Sequence, residues 1–114
     1  MRVQEIAGDG FIIIQLEGEV DMATSPELRE TLDAQTKLRQ PVLLFDFTQV
    51  TYIDSSGLAT LVEYCRNVQG WGGKLGLYGL NERVRTVFEI VRLDEFLGLY
   101  ATGEEARAAL GVPA

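Results

Sequence analysis

The stretch PVLLFDFTQVTYIDSSGLATL, residues 41–61, joins an apolar run to a polar cluster and then to a second apolar pattern. Pro41–Phe47 is almost uninterrupted in apolar residues, which is typical of a central strand buried on both faces. From Gly57 onward the apolar residues recur at the spacing of one helix face, at Leu58, Leu61, Val62 and Cys65. We therefore predict a buried strand, a polar turn and an amphipathic helix.

The segments before this stretch predict two strands and a helix. RVQEI (2–6) alternates, and FIIIQLEGEV (11–20) is rich in β-branched residues. ATSPELRETLDAQTKL (23–38) has helix-start chemistry, with Ser25 as the expected cap and Pro26 at the first helical position.

The segments after it continue the alternation of strands and helices. KLGLYGL (74–80) predicts a buried strand, and NERVRTVFEIVRL (81–93) predicts a helix capped by Asn81, with an apolar face at Val84, Val87, Phe88 and Val91. FLGLY (96–100) is the expected last strand. Thr102 and Glu105 form a capping box before the last helix. Three aromatic residues in these patterns are expected to pack in the core: Phe88, Phe96 and Tyr100.

This order predicts an α/β fold in one domain, residues 1–114, with its core at about residues 2–110. We expect a mixed, mostly parallel sheet of about five strands, with an antiparallel first hairpin and about four helices. In such sheets the loops that leave the carboxyl ends of strands meet at one edge and carry function. GEVD (18–21) and VTYIDSSG (50–57) are expected at that edge.

Composition excludes several classes of function. The net charge is −7 and no basic stripe is present, so binding to nucleic acid is not expected. The apolar runs are too short to span a bilayer, and the N-terminus lacks a secretory signal, so we expect a cytoplasmic protein with no direct membrane insertion. The absence of histidine excludes histidine-activated nucleophiles and histidine-ligated metals. The lone Cys65 is expected to be a core residue.

The polar cluster Asp54–Ser56 has two interpretations. Each of its residues is a good N-cap, so a capped helix is sufficient to explain the tetrapeptide DSSG. The second interpretation is a modification site. A cap uses one side chain, so three polar residues in a row leave at least one serine hydroxyl free to be modified. Gly57 would leave bare backbone beside that hydroxyl, where a partner could approach closely.

Two phosphate-related alternatives fit poorly. GWGGKL resembles the end of a P-loop, but leucine follows the lysine and the lysine opens a strand. A receiver domain needs an acidic pair and a lysine after its last strand, and Lys37 and Lys74 are the only lysines. Asp46 is expected to accept hydrogen bonds from nearby backbone donors instead.

GEVD (18–21), LLFDFTQVTYIDSSGLATL (43–61) and GGKLGLYGLNERVRTVFEIVRLDEFLGLY (72–100) together resemble a STAS domain, over about residues 2–110. Within that family the chain is most similar to the bacterial anti-sigma-factor antagonists. The resemblance implies a regulatory binding protein, not an enzyme, that needs no cofactor and is expected to be a monomer.

The same resemblance implies the partners and the site. Such antagonists bind an anti-sigma factor that is also a serine kinase, which frees the sigma factor. The kinase phosphorylates the first serine of the motif, which matches Ser55, and a PP2C-type phosphatase removes the phosphate. Asp21 and Asp54 match acidic positions beside that serine, and Ser56 matches the second hydroxyl. The expected partner-binding segment comprises Asp21, Asp54, Ser55, Ser56, Gly57 and Leu58.

Two other functions stay open at this point. The chain could be a STAS accessory subunit of a transporter or signalling complex, for example docked on a membrane transporter's ATPase, with Ser55 never modified. It could also be a small enzyme or ligand carrier, in which aspartates and serines hold magnesium and a nucleotide phosphate. The missing histidine and the poor phosphate loop disfavour the enzyme or carrier.

Overall fold

The computed structural model describes residues 1–112, which form one sheet and the helices that cover it. The strands are β1 (Arg2–Ala7), β2 (Ile12–Val20), β3 (Val42–Ile53), β4 (Lys74–Tyr78) and β5 (Gly98–Tyr100). The helices are α1 (Ser25–Leu38), α2 (Ser55–Gly70), α3 (Glu82–Ile90) and α4 (Gly103–Leu110).

The strands lie in the order β1-β2-β3-β4-β5. β1 is antiparallel to β2, and the other neighbouring pairs are parallel. The predicted fold class is therefore confirmed. β2 and β3 end in register, with Val20 opposite Ile53, so the residues that follow both strands emerge side by side at one edge.

The core lies mainly on one face of the sheet. Helices α1, α2 and α3 pack there on the inward side chains of β2 and β3, and α4 covers part of the opposite face around Ile13 and Leu44. Cys65 is buried in the larger cluster, as predicted, and burial raises the pKa of its thiol. Trp71 packs edge-on against Tyr64 at the margin of the core and donates from Nε1 to the Gln40 carbonyl at 2.9 Å.

Strand β3 is longer than its apolar run predicts. We expected it to end at Phe47, whereas it continues to Ile53. Two register shifts between β2 and β3 break the simple alternation, so the buried residues of this second half lie three apart, at Phe47, Val50 and Ile53. The intervening residues are exposed, and the period-two pattern that marks a strand is lost.

Three local predictions are wrong. The N-cap of α1 is Thr24, whose side chain makes no capping hydrogen bond to the first turn of the helix, and Ser25 is already helical. Helix α3 ends at Ile90, because the chain turns at Arg92, whose φ is +60°. That turn carries Val91 and Phe96 to the surface, where they are 50% and 41% exposed.

Two predicted caps are confirmed. Asn81 Oδ1 accepts from the Val84 N–H at 2.8 Å, and Thr102 Oγ1 accepts from the Glu105 N–H at 3.2 Å. The Glu105 carboxylate accepts from the Ala101 N–H, one residue earlier than in the expected capping box. Within residues 1–112, no helix is both long enough and apolar enough to cross a membrane.

Asn81 joins α3 to the sheet, since its Nδ2 also donates to the Val50 carbonyl at 3.1 Å. Replacing Asn81 with alanine removes both the cap and this cross-link, and we expect the free energy of unfolding to fall by about 1–2 kcal/mol. Asn81→Ser is the matched control. It keeps a cap acceptor, so its free energy of unfolding should fall less than that of Asn81→Ala. Urea unfolding of the three proteins measures this, and equal stability of Asn81→Ala and wild type would contradict it.

Candidate functional site

The carboxylate of Asp54 organises the junction between β3 and α2. As the N-cap of α2, its Oδ1 accepts from the Ser56 and Gly57 N–H groups at 3.0 and 3.2 Å. Its Oδ2 accepts from the Met22 N–H, in the loop after β2, at 3.2 Å. The hydrogen bond from the Ser56 hydroxyl, together with these backbone donors, lowers the pKa of Asp54 against the opposing effect of burial.

Ser56 is held inside this network. Its hydroxyl donates to Asp54 Oδ1 at 2.6 Å and lies 3.2 Å from the Ser25 hydroxyl, in the first turn of α1. Ser25 Oγ is also 2.7 Å from the Asp21 carbonyl, and it has one proton for these two neighbours. Ser56 is half-buried, and its oxygen is engaged from two sides.

Ser55 has the opposite environment. It is the first residue of α2 and is exposed. Its hydroxyl makes no hydrogen bond to any residue in the described range 1–112. Of the two adjacent serines, the structure therefore leaves the oxygen of Ser55 open to solvent and ties up that of Ser56.

The loop after β2 lies directly against this junction. The Asp54 N–H donates to the Val20 carbonyl at 3.1 Å, in addition to the bond from Met22. The Asp21 carboxylate bonds within its own loop, where Oδ1 accepts from the Ala23 and Thr24 N–H groups, both at 3.0 Å. The structure thus brings GEVD (18–21) and DSSG (54–57) together at the edge where the sequence places them.

Gly57 does not have the role expected of it. It is buried, and a Cβ added there would lie 2.8 Å from Val20 Cγ1 and 2.9 Å from Ile53 Cγ1. The glycine allows close packing of α2 on the sheet, and it does not present bare backbone at the surface. Leu58 is also mostly buried, at 7% exposure, although it borders a surface groove beside Ser55.

Two site residues escaped the sequence reasoning. Ser25 was interpreted only as a helix cap, and no local signal indicates its contact with Ser56, 31 residues away. Met22 is 78% exposed beside Asp54 and gives the site an apolar rim. Across residues 1–112, no three histidine, cysteine, aspartate or glutamate side chains lie close enough together to hold a metal ion.

Comparison with known proteins identifies the family. The profile of the STAS domain matches residues 2–106. This chain belongs to the STAS domain family. Its STAS domain is 34% identical over 86 residues to the anti-sigma-B factor antagonist of Listeria monocytogenes, covering 75% of each chain.

Solved structures of anti-sigma factor antagonists share the fold. An anti-sigma factor antagonist from Mycobacterium paratuberculosis superposes with a TM-score of 0.89 at 25% identity, over 96% of this chain and 93% of that one. The anti-sigma factor antagonist SpoIIAA in its unphosphorylated form gives a TM-score of 0.83 at 22% identity, over 99% and 100% of the two chains.

We predict that Gly57→Ala destabilises the protein, because the new methyl group meets the stiff β-branched Val20 and Ile53. The overpacking should exceed the gain in helix propensity and give a net loss of about 1 kcal/mol or more. Gly70→Ala is the matched control in the same helix, since its added Cβ meets nothing within 4 Å. Thermal unfolding should show the two changes shifting the midpoint in opposite directions, and equal shifts would refute this packing role.

The lowered pKa of Asp54 predicts a pH-dependent stability. A carboxylate whose pKa is lower in the folded than in the unfolded chain stabilises the fold above its ordinary value of 3.8, and this contribution is lost as pH falls through the depressed pKa. Asp54→Asn keeps a cap acceptor but does not titrate. Urea unfolding should give wild type a larger free energy of unfolding than Asp54→Asn at pH near 7. This difference in stability should shrink at pH near 3. A difference that is independent of pH would contradict this.

Proposed function

We propose that this STAS domain is an anti-sigma-factor antagonist that is switched off by phosphorylation of Ser55. The observation that carries the proposal is the contrast between the two serines: Ser55 is exposed and unbonded within residues 1–112, and Ser56 is engaged by Asp54 and Ser25. A visiting active site can use the first hydroxyl without breaking a hydrogen bond within residues 1–112, whereas use of the second would break its bond to Asp54. The similarity to the Listeria anti-sigma-B factor antagonist supports the same class of partner.

The partner supplies the chemistry. An anti-sigma factor with kinase activity holds ATP and magnesium, and the Ser55 hydroxyl oxygen attacks the γ-phosphorus. A bond forms between Ser55 Oγ and phosphorus, and the bond between that phosphorus and the β,γ-bridging oxygen breaks. ADP leaves, and a base of the kinase takes the hydroxyl proton. A PP2C-type phosphatase reverses the modification by hydrolysis, so this domain needs no cofactor of its own.

The fold should tolerate the phosphate because the phosphate stays in water. Asp54 already occupies the N–H groups of Ser56 and Gly57, so those donors at the start of α2 are not free for a phosphate. Ser55 is exposed, however, and a dianion there is solvated and costs the isolated domain little.

The complex should not tolerate it. A phosphoserine carries about −1.5 to −2 charges at neutral pH, and docking would press these charges into an interface beside the carboxylates of Asp21 and Asp54. If the phosphate makes the free energy of binding less favourable by about 3–4 kcal/mol, the affinity for the partner falls a few hundred-fold. The net charge of −7 fits a partner with a basic docking surface, toward which it would speed association.

We predict that Ser55→Ala binds the anti-sigma factor kinase as tightly as the unphosphorylated wild-type domain does, but is not released when ATP is added. Ser55→Asp should bind at least about tenfold more weakly, because it places a charge where the phosphate would be. Isothermal titration of the host's anti-sigma factor kinase with each variant, with and without ATP, measures both effects.

Ser56→Ala is the matched control. It removes the neighbouring hydroxyl and should lower stability by about 1 kcal/mol, yet retain binding and release by ATP. Equal affinity of the partner for wild type, Ser55→Ala and Ser55→Asp would overturn the proposed function.

A further inference from the structure

A surface groove of about 510 Å³ runs along α2 from the proposed phosphorylation site. Ser55 lies at one end and Arg66 lies on the same helix three turns later, about 16 Å away at 1.5 Å per residue. Between them, the groove is lined by apolar side chains from α2 and from the turn after α3: Leu58, Val62, Val91 and Leu93.

The apolar residues at the rim of this groove are exposed to solvent. Val91 is 50% exposed because α3 ends before it, and Ile90 beside it is 74% exposed. Single exposed apolar residues are ordinary in soluble proteins. An apolar groove that opens beside such residues and is bounded by polar ones is typical of an interaction site.

The far end of the groove carries a free positive charge. Arg66 makes no ion pair within residues 1–112, whereas Glu63, one turn earlier, is paired with Arg29 of α1. An unpaired arginine in a chain of net charge −7 is available to a carboxylate of another molecule. The groove therefore combines an apolar floor with one cationic end.

The position of the groove indicates the occupant. A standard protein interface covers about 800 Å² on each partner, which corresponds to a patch reaching about 16 Å from its centre. A protein that brings an active site to Ser55 would thus cover the groove as far as Arg66. The groove is continuous with the surface on which the proposed partner acts.

We propose that the groove binds an amphipathic segment of the same partner that phosphorylates Ser55, with an apolar side chain over Val62, Val91 and Leu93 and a carboxylate paired with Arg66. This inference rests on the proposed function and specifies its docking surface. The segment holds the kinase on the domain, and the chemistry takes place at the opposite end of the groove.

The test uses the full chain and the host's anti-sigma factor kinase. Arg66→Glu and Val91→Ser should each weaken binding about tenfold or more. Both should raise the KM for this domain in the phosphorylation reaction and leave kcat nearly unchanged, since neither residue touches the reacting atoms. High salt should reduce the difference in binding affinity between Arg66→Glu and wild type, because salt screens charges. It should not reduce the difference in affinity between Val91→Ser and wild type.

Two matched controls lie away from the groove. Lys74→Glu reverses an exposed charge at the start of β4, on the edge of the sheet opposite Ser55. Leu38→Ser removes a 66% exposed apolar side chain at the end of α1. Both should bind as wild type does. Circular dichroism of all four variants should show the wild-type fold, since every changed side chain is exposed.

The outcomes separate this inference from the function on which it rests. If Arg66→Glu and Val91→Ser bind as tightly as wild type and Ser55→Asp does not, the groove is not the docking surface and the proposed function stands. If only Val91→Ser weakens binding, the pairing of Arg66 with a carboxylate is overturned. If Ser55→Asp also binds like wild type, the proposed function itself fails.

Discussion

One carboxylate determines the geometry of the candidate site. Asp54 caps α2 through the Ser56 and Gly57 N–H groups, binds the Ser56 hydroxyl and accepts from Met22 in the loop after β2. It therefore fixes the start of the helix and the position of the neighbouring loop with the same two oxygens. Its hydrogen bonds also favour the charged form, so the cap carries a full negative charge at neutral pH.

The sheet makes this arrangement possible. Val20 and Ile53 end β2 and β3 side by side, and Gly57 lets α2 pack tightly against both of them. With the helix start pinned this closely, the first residue of α2 points its hydroxyl to solvent and the second is turned into the network. The distinction between Ser55 and Ser56 thus follows from packing and capping, although the two side chains are chemically identical.

Sequence patterns were sufficient for the fold class, because strands and helices alternate, and because the apolar period of α2 and the apolar run that opens β3 are clear. These patterns failed where contacts between distant parts of the chain determine which residues are buried and which side chains meet. The second half of β3 has its buried residues three apart because of register shifts, and the turn at Arg92 removes Val91 from the helix face. The contact between Ser25 and Ser56 links residues far apart in the chain. Gly57 suggested an open surface, whereas the space beside it is filled by the sheet.

The most direct test of the central claim is to map the phosphate by tandem mass spectrometry after incubating the wild-type protein with its host's kinase and ATP. We expect the phosphoryl group on Ser55 alone, because its side chain is exposed and the hydroxyl of Ser56 is hydrogen-bonded to Asp54. Phosphate on Ser56, or shared between the two serines, would contradict the claim that the cap of α2 selects the hydroxyl that is modified.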